Sequence, residues 1–151
     1  MTAVILVSGF NGFGIHSLLS IVQNFPNLYK NIIFVSIGLI DSGSFKGAKE
    51  IETLRTSVEV SLKKYVDLAR RLGFRADYRF DIGTEVVEGV SDICKSIVEN
   101  FPRMTVFTGK LIFHQVSLIH KLLHNERAFA LQRRLQWEGI TTVILPIRVK
   151  I

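Results

Sequence analysis

Ala3-Val4-Ile5-Leu6-Val7-Ser8-Gly9-Phe10-Asn11-Gly12-Phe13-Gly14-Ile15-His16-Ser17-Leu18-Leu19 decides the fold. Ala3 to Ser8 is a short apolar run with β-branched residues, and Gly9 stops it, the pattern of a buried strand. From Phe13 the apolar spacing changes to Ile15, Leu18, Leu19 and Val22, one face of a helix that Pro26 ends after Phe25. Strand, glycine turn and helix in that order open a βα unit.

The same alternation repeats along the chain. Asn31 to Ile40 is apolar almost throughout, as in a strand covered on both faces. After Asp41-Ser42-Gly43-Ser44 the spacing of Ile51, Leu54, Val58, Leu62, Tyr65, Val66, Ala69 and Leu72 predicts a long helix with Gly73 as its stop. Phe74 to Ile82 alternates apolar and charged residues, which suits an edge strand. Thr84 is the expected cap of a helix carrying Val86, Val87, Val90, Ile93, Cys94, Ile97 and Val98 on one side and ending at Phe101-Pro102. Met104 to Thr108 is a fourth strand, and Thr141 to Val149 a fifth, with Pro146 tolerable on an edge. Between these two, Leu118, Ile119, Leu122 and Leu123 form one stripe and Ala128, Leu131 and Leu135 another. The register breaks at His124-Asn125, so Asn125 is the expected N-cap of the last helix.

These units predict one α/β domain over residues 1–151: a three-layer α/β/α, Rossmann-like fold around a five-stranded parallel sheet of order 3-2-1-4-5. The order puts the more polar third strand and the Pro146 strand at the edges. With 48% hydrophobic residues among 151, the chain supplies its core from side chains alone. Its single cysteine, Cys94, forms no internal disulfide and reads as a core residue of a reducing, cytoplasmic compartment. The first 29 residues carry no charged side chain, yet the Ser8–Gly14 segment interrupts them well before the ~20 apolar residues that span a bilayer. The net charge of +6 is concentrated from Gly109 onward, where seven basic residues face two acidic ones. An anionic partner or a solvated basic helix face both account for that surplus.

In an open α/β sheet of this order, ligands bind beyond the carboxyl ends of strands one and four. The first loop there holds Ser8, Gly9, Phe10, Asn11 and Gly12, a G-x-x-G-x-G run through Gly14 that fits neither the dinucleotide fingerprint nor a Walker loop. Phosphate binding on backbone N–H groups and a tight turn built for packing remain alternatives. The second loop, from Thr108 to Asn125, is some fifteen residues long where about 2 to 6 is usual. In it Gly109 permits close backbone approach, Lys110 and Arg127 offer charge, and His124-Asn125 precedes a helix; equally, its apolar stripe covers core or a dimer surface. An enzymatic use of Lys110 or Arg127 in phosphoryl transfer lacks a metal-binding carboxylate nearby. His120 and His124 have helical metal-ligand spacing but no Glu at position 121, so no metal is expected. Ser8, Ser42 and Ser117 lack a nucleophile-elbow setting. Asp81 and Glu85 read either as a carboxylate pair or as turn and helix-start acids.

The five βα units, Gly83-Thr84-Glu85 after strand three and the glycine-led fourth loop resemble the universal stress protein fold. That resemblance implies an adenine nucleotide, ATP or AMP, held on a glycine motif after strand four, and at most a slow ATP-hydrolysing activity. Gly109 matches its first glycine; Ile112 stands at the second, His124-Asn125 at the Gly-Ser pair, and Val7-Ser8-Gly9 where an acidic residue is usual. Across nearly the whole chain the sequence is also similar to the cytosolic C-terminal domain of bacterial amino acid permease-like transporters of the amino acid–polyamine–organocation superfamily. The strings are Ser8 to Gly12, Phe45-Lys46-Gly47, Gly83 to Glu88, Gly109 to Phe113, Leu122 to Glu126, Ala130 to Leu135 and Leu145 to Val149. This resemblance implies a non-catalytic regulatory domain at the cytoplasmic face of the inner membrane, joined to a membrane-embedded portion of the same polypeptide. It further implies a homodimer, a nucleotide or cyclic dinucleotide as ligand, an anionic lipid surface beside the basic final quarter, and no nucleic acid. A free-standing universal stress protein-like nucleotide binder is the alternative.

Overall fold

The computed structural model describes residues 1–40, 47–113 and 118–149, and for 110–113, 118–125, 148 and 149 the course of the backbone alone. Along them run β1 (Thr2–Leu6), α1 (Gly12–Asn24), β2 (Asn31–Leu39), α2 (Ala48–Arg71), β3 (Arg75–Gly83), α3 (Val86–Asn100), β4 (Met104–Phe113), α4 (Leu118–Trp137) and β5 (Thr142–Val149). The strands form one parallel sheet in the order β3-β2-β1-β4-β5, as the sequence predicts.

Period-two alternation sends the side chains of β1 into two cores. Ala3 and Ile5 join Ile32, Phe34 and Phe107 under α1 and α2, packed against Leu18, Ile21, Leu62 and Tyr65. Val4 joins Ile33, Val35 and Val106 under α3 and α4, against Cys94, Ile97, Leu131 and Leu135. Helices cover both faces, which is why the central strands read as unbroken apolar runs. At the edges, β3 alternates exposed and half-buried residues, and Pro146 of β5 is exposed.

The helix ends follow local chemistry. Pro26 stops α1 just after its C-cap Phe25. Gly73 (φ 95°) and Gly139 (φ 74°) close α2 and α4 in left-handed conformations. Behind them the amides of Phe74 and Ile140 return to the carbonyls of Ala69 and Leu135, at 3.1 and 2.9 Å.

Three local expectations need correction. β4 does not end at Thr108 but runs to Phe113, because each residue from Gly109 to Phe113 finds a partner on β5, from Leu145 to Val149. The expected long loop therefore does not begin at Thr108, and residues 114–117 lie outside the described residues. α4 passes unbroken through His124-Asn125, so Asn125 lies in its interior and is not its N-cap residue. Asn and His cost only about 0.5 kcal/mol in a helix interior relative to better formers, which packing of Ala128, Leu131 and Leu135 outweighs. Thr84 is not the cap of α3 either; Glu85 occupies that position without a side-chain cap bond. The turn at Asp41 to Ser44, His114 and Ser117 lie outside the described residues.

Two buried groups on the α3 side give tests. Cys94 is fully buried and burial pushes its thiol up to about 12. Iodoacetamide at pH 8 should leave it unmodified in the folded protein and alkylate it in guanidinium, read by mass. Because the folded value lies above the unfolded ~8.5, the stability it contributes is complete below pH 8.5 and lost as pH rises toward 12. Ser91 is likewise fully buried, and its hydroxyl makes no hydrogen bond among the described residues. Ser91→Ala should raise stability by about 1 kcal/mol in thermal unfolding.

Candidate functional site

Strand lengths build the site. β1 pairs with β4 only as far as Ile5↔Phe107 and with β2 as far as Leu6↔Val35. Its neighbours continue, β2 beside β3 to Leu39↔Gly83 and β4 beside β5 to Phe113↔Val149. Two ribbons thus overshoot a short central strand at the point where the connections change direction, which is where open α/β sheets take ligands. On the α3/α4 side this leaves a crevice of about 190 Å3. Its walls are mainly Leu6, Val7, Ile37, Val86, Val87 and Leu131, with Ser8, Ser36 and Thr108 as hydroxyl groups and Arg127 as a cation. Arg127 is exposed. Arg127 is the one titratable side chain among the described lining residues.

The Ser8–Gly12 loop closes one flank, and its own contacts fix its shape. Gly9 takes a left-handed conformation at φ 68°. Asn11 is the N-cap of α1: its Oδ1 accepts from the Gly14 amide at 3.1 Å while its Nδ2 donates to the Ser8 carbonyl at 2.9 Å. From α2, the Tyr65 hydroxyl donates to the Gly9 carbonyl at 2.6 Å and accepts from the Asn11 amide at 3.3 Å. Burial raises the Tyr65 pKa, against the lowering effect of the Asn11 amide, which keeps the phenol protonated as a donor. Its ring lies 4.8 Å from that of Phe10 and stacks on Phe34 at 5.2 Å. Phe10 also carries the Lys64 ammonium 5.7 Å from its ring centre. A Cβ at Gly14 would overlap the Tyr65 hydroxyl, so this glycine makes room for tyrosine. Gly12 faces open space.

Gly109 has a similar explanation. A Cβ there would overlap the Phe13 ring; the close approach expected for a ligand is made by α1. Ser8, Gly109 and Arg127 meet in the crevice, while Gly9, Phe10, Asn11 and Gly12 form its flanking loop. For Lys110, His124 and Asn125 the structure gives only position, in β4 and in the first half of α4. Asp81 accepts from the amide of Ile82 at 2.8 Å at the end of β3, and Glu85 stands at the start of α3, the turn and helix-start positions that the sequence also allows. Among the described residues no group of three or more His, Cys, Asp or Glu could hold a metal ion.

Sequence reasoning missed Ser36, Phe13 and Tyr65 as shapers of the site. Ser36 had a signal, a lone hydroxyl in an otherwise apolar strand. Phe13 and Tyr65 had none, since both read as ordinary core at helical spacing. Gly109→Ala and Gly14→Ala should each cost about 1–3 kcal/mol in chemical denaturation. Phe13→Leu should recover part of the first loss and Tyr65→Phe part of the second; equal losses in single and double variants would mean that these rings are not what the glycines accommodate.

No protein-family model matches the sequence. Among curated proteins, too, none matches it. Among solved structures it is similar to a protein of the universal stress protein family from Burkholderia pseudomallei, with a TM-score of 0.63, 11% identity, and coverage of 97% of this chain and 96% of that one. The likeness is one of fold: the chain has a universal stress protein-like α/β fold.

Proposed function

We propose that the chain is a non-catalytic regulatory domain whose carboxyl-end crevice takes the planar base of an adenine nucleotide or a cyclic dinucleotide. The observation that carries this reading is the crevice over the short β1, with apolar walls and a few hydroxyl groups. Small-molecule sites run to about 300–1,000 Å3, so about 190 Å3 suits one ring system with the rest of the ligand outside. Arg127 at the rim supplies a cation for a phosphate there. A lining whose described members include no carboxylate, histidine or lysine favours binding over proton-transfer chemistry, since arginine stays protonated.

The resemblance of the sequence to the cytosolic domain of permease-like transporters is the ground for placing this domain on such a polypeptide, where occupancy of the crevice would bias transport, with a second copy as its partner. The fold shared with the Burkholderia pseudomallei structure, matched over 96% of its own length, fits a free-standing universal stress protein-like protein equally well. Ten or more hydrophobic spans encoded in frame upstream of Met1 would decide for the transporter.

Scanning fluorimetry with ATP, AMP and cyclic di-AMP at millimolar concentration should show a rise in Tm for at least one. Ligand at a hundred times Kd is worth about 2.7 kcal/mol of stability. Arg127→Ala should weaken the phosphorylated ligand while leaving adenosine binding unchanged. A flat response across the panel would sink the sensing role.

A further inference from the structure

The opposite end of the sheet carries a second surface. The described helices end and the strands begin there, and four large apolar side chains stand out from it: Met1 before β1 (41% exposed), Leu28 after α1 (42%), Leu72 after α2 (44%) and Trp137 at the end of α4 (89%). The same loops and element ends carry the exposed Lys30, Arg71, Arg75, Arg103 and Arg134. Backbone pairing places several of these at neighbouring strand starts, with the Arg75 amide on the Lys30 carbonyl at 3.1 Å and the Thr2 amide on the Arg103 carbonyl at 2.9 Å. In these loops and last helical turns the acidic residues are Glu99 and Glu138, and Glu138 is held by Lys95 at 3.0 Å. Arg71 and Arg134 lie in or beside last helical turns, where a cation also answers the helix dipole. Lys30, Arg75 and Arg103 answer no such need, because sheets carry only small dipoles. Beside Lys30 a cleft of about 340 Å3 opens between the ends of α1 and α2, lined by Phe25, Tyr29, Leu72 and Phe74.

We propose that this amino-end face docks on a bilayer carrying anionic headgroups. Exposed aliphatic side chains sharing one end of the sheet with cations, and a tryptophan that is 89% exposed, match the two layers of such a surface. Indole rings favour the headgroup boundary, and basic residues are drawn to an anionic leaflet. A second copy of this chain would bring like charge against like. The crevice at the carboxyl end then faces away from the membrane, open to solutes. The inference stands apart from the nucleotide reading.

Trp137 is the only tryptophan of the chain, so its fluorescence reports the contact directly. Vesicles of phosphatidylcholine with one third phosphatidylglycerol should shift its emission to the blue and protect it from acrylamide, and 0.5 M salt should reverse both. Lys30→Gln with Arg75→Gln should lower partitioning onto these vesicles about 25-fold, at roughly 1 kcal/mol per charge. Leu72→Ser should lower it further, and Lys49→Gln, at the other end of α2, should leave it unchanged. Circular dichroism confirms that each variant is folded. No shift at low salt, equal binding to pure phosphatidylcholine, or burial of Trp137 that grows with protein concentration without lipid would each overturn the proposal. Salt-sensitive binding to an acidic polypeptide with no response to vesicles would overturn it in favour of a protein partner.

Discussion

The shortness of β1 governs this molecule. It is five residues long between neighbours of nine and ten. Because Ala3, Val4 and Ile5 are fully buried, it anchors both cores at once, and a slip of one residue would exchange the side chains facing α1 and α2 for those facing α3 and α4. Because it stops at Leu6 while β2 and β4 continue, the sheet parts into two ribbons above it. The crevice, the glycine loop that borders it and the contact of Phe13 with Gly109 all exist in the space that β1 does not fill.

The sheet was legible because each strand's surroundings are written in its residues. Unbroken apolar runs in β1 and β2 demand cover on both faces, the charged alternation of β3 demands a wet one, and Pro146 suits an edge; those needs put β3 and β5 at the edges, as the order 3-2-1-4-5 does. The segment from Gly109 to Asn125 was not legible. Gly109 and Asn125 are residues that punctuate chains locally, and here a ladder to β5 and a buried helix stripe overrode them. Pairing with a strand more than thirty residues further on leaves no local trace.

The candidate site was legible in place but not in use. The carboxyl end of the sheet and the Ser8–Gly12 loop follow from topology. What the glycines accommodate does not, because Tyr65 reaches Gly9 from 56 residues away and Phe13 packs on Gly109 across the sheet. A glycine that admits a ligand and one that admits an aromatic ring have the same letter. The difference lies in which ring arrives, and tertiary structure alone decides that.

The Tyr65 clasp also makes the glycine loop a product of assembly. A chain emerged only as far as β2 holds Gly9, Asn11 and Gly14 but lacks the hydroxyl that ties Gly9 to Asn11. The loop acquires this clasp when the second half of α2 docks, after a closure spanning more than fifty residues. Any fragment that ends before Tyr65 will carry the Asn11 bonds within the loop but not the clasp, and shuffling the first βα unit into another scaffold will leave the clasp behind.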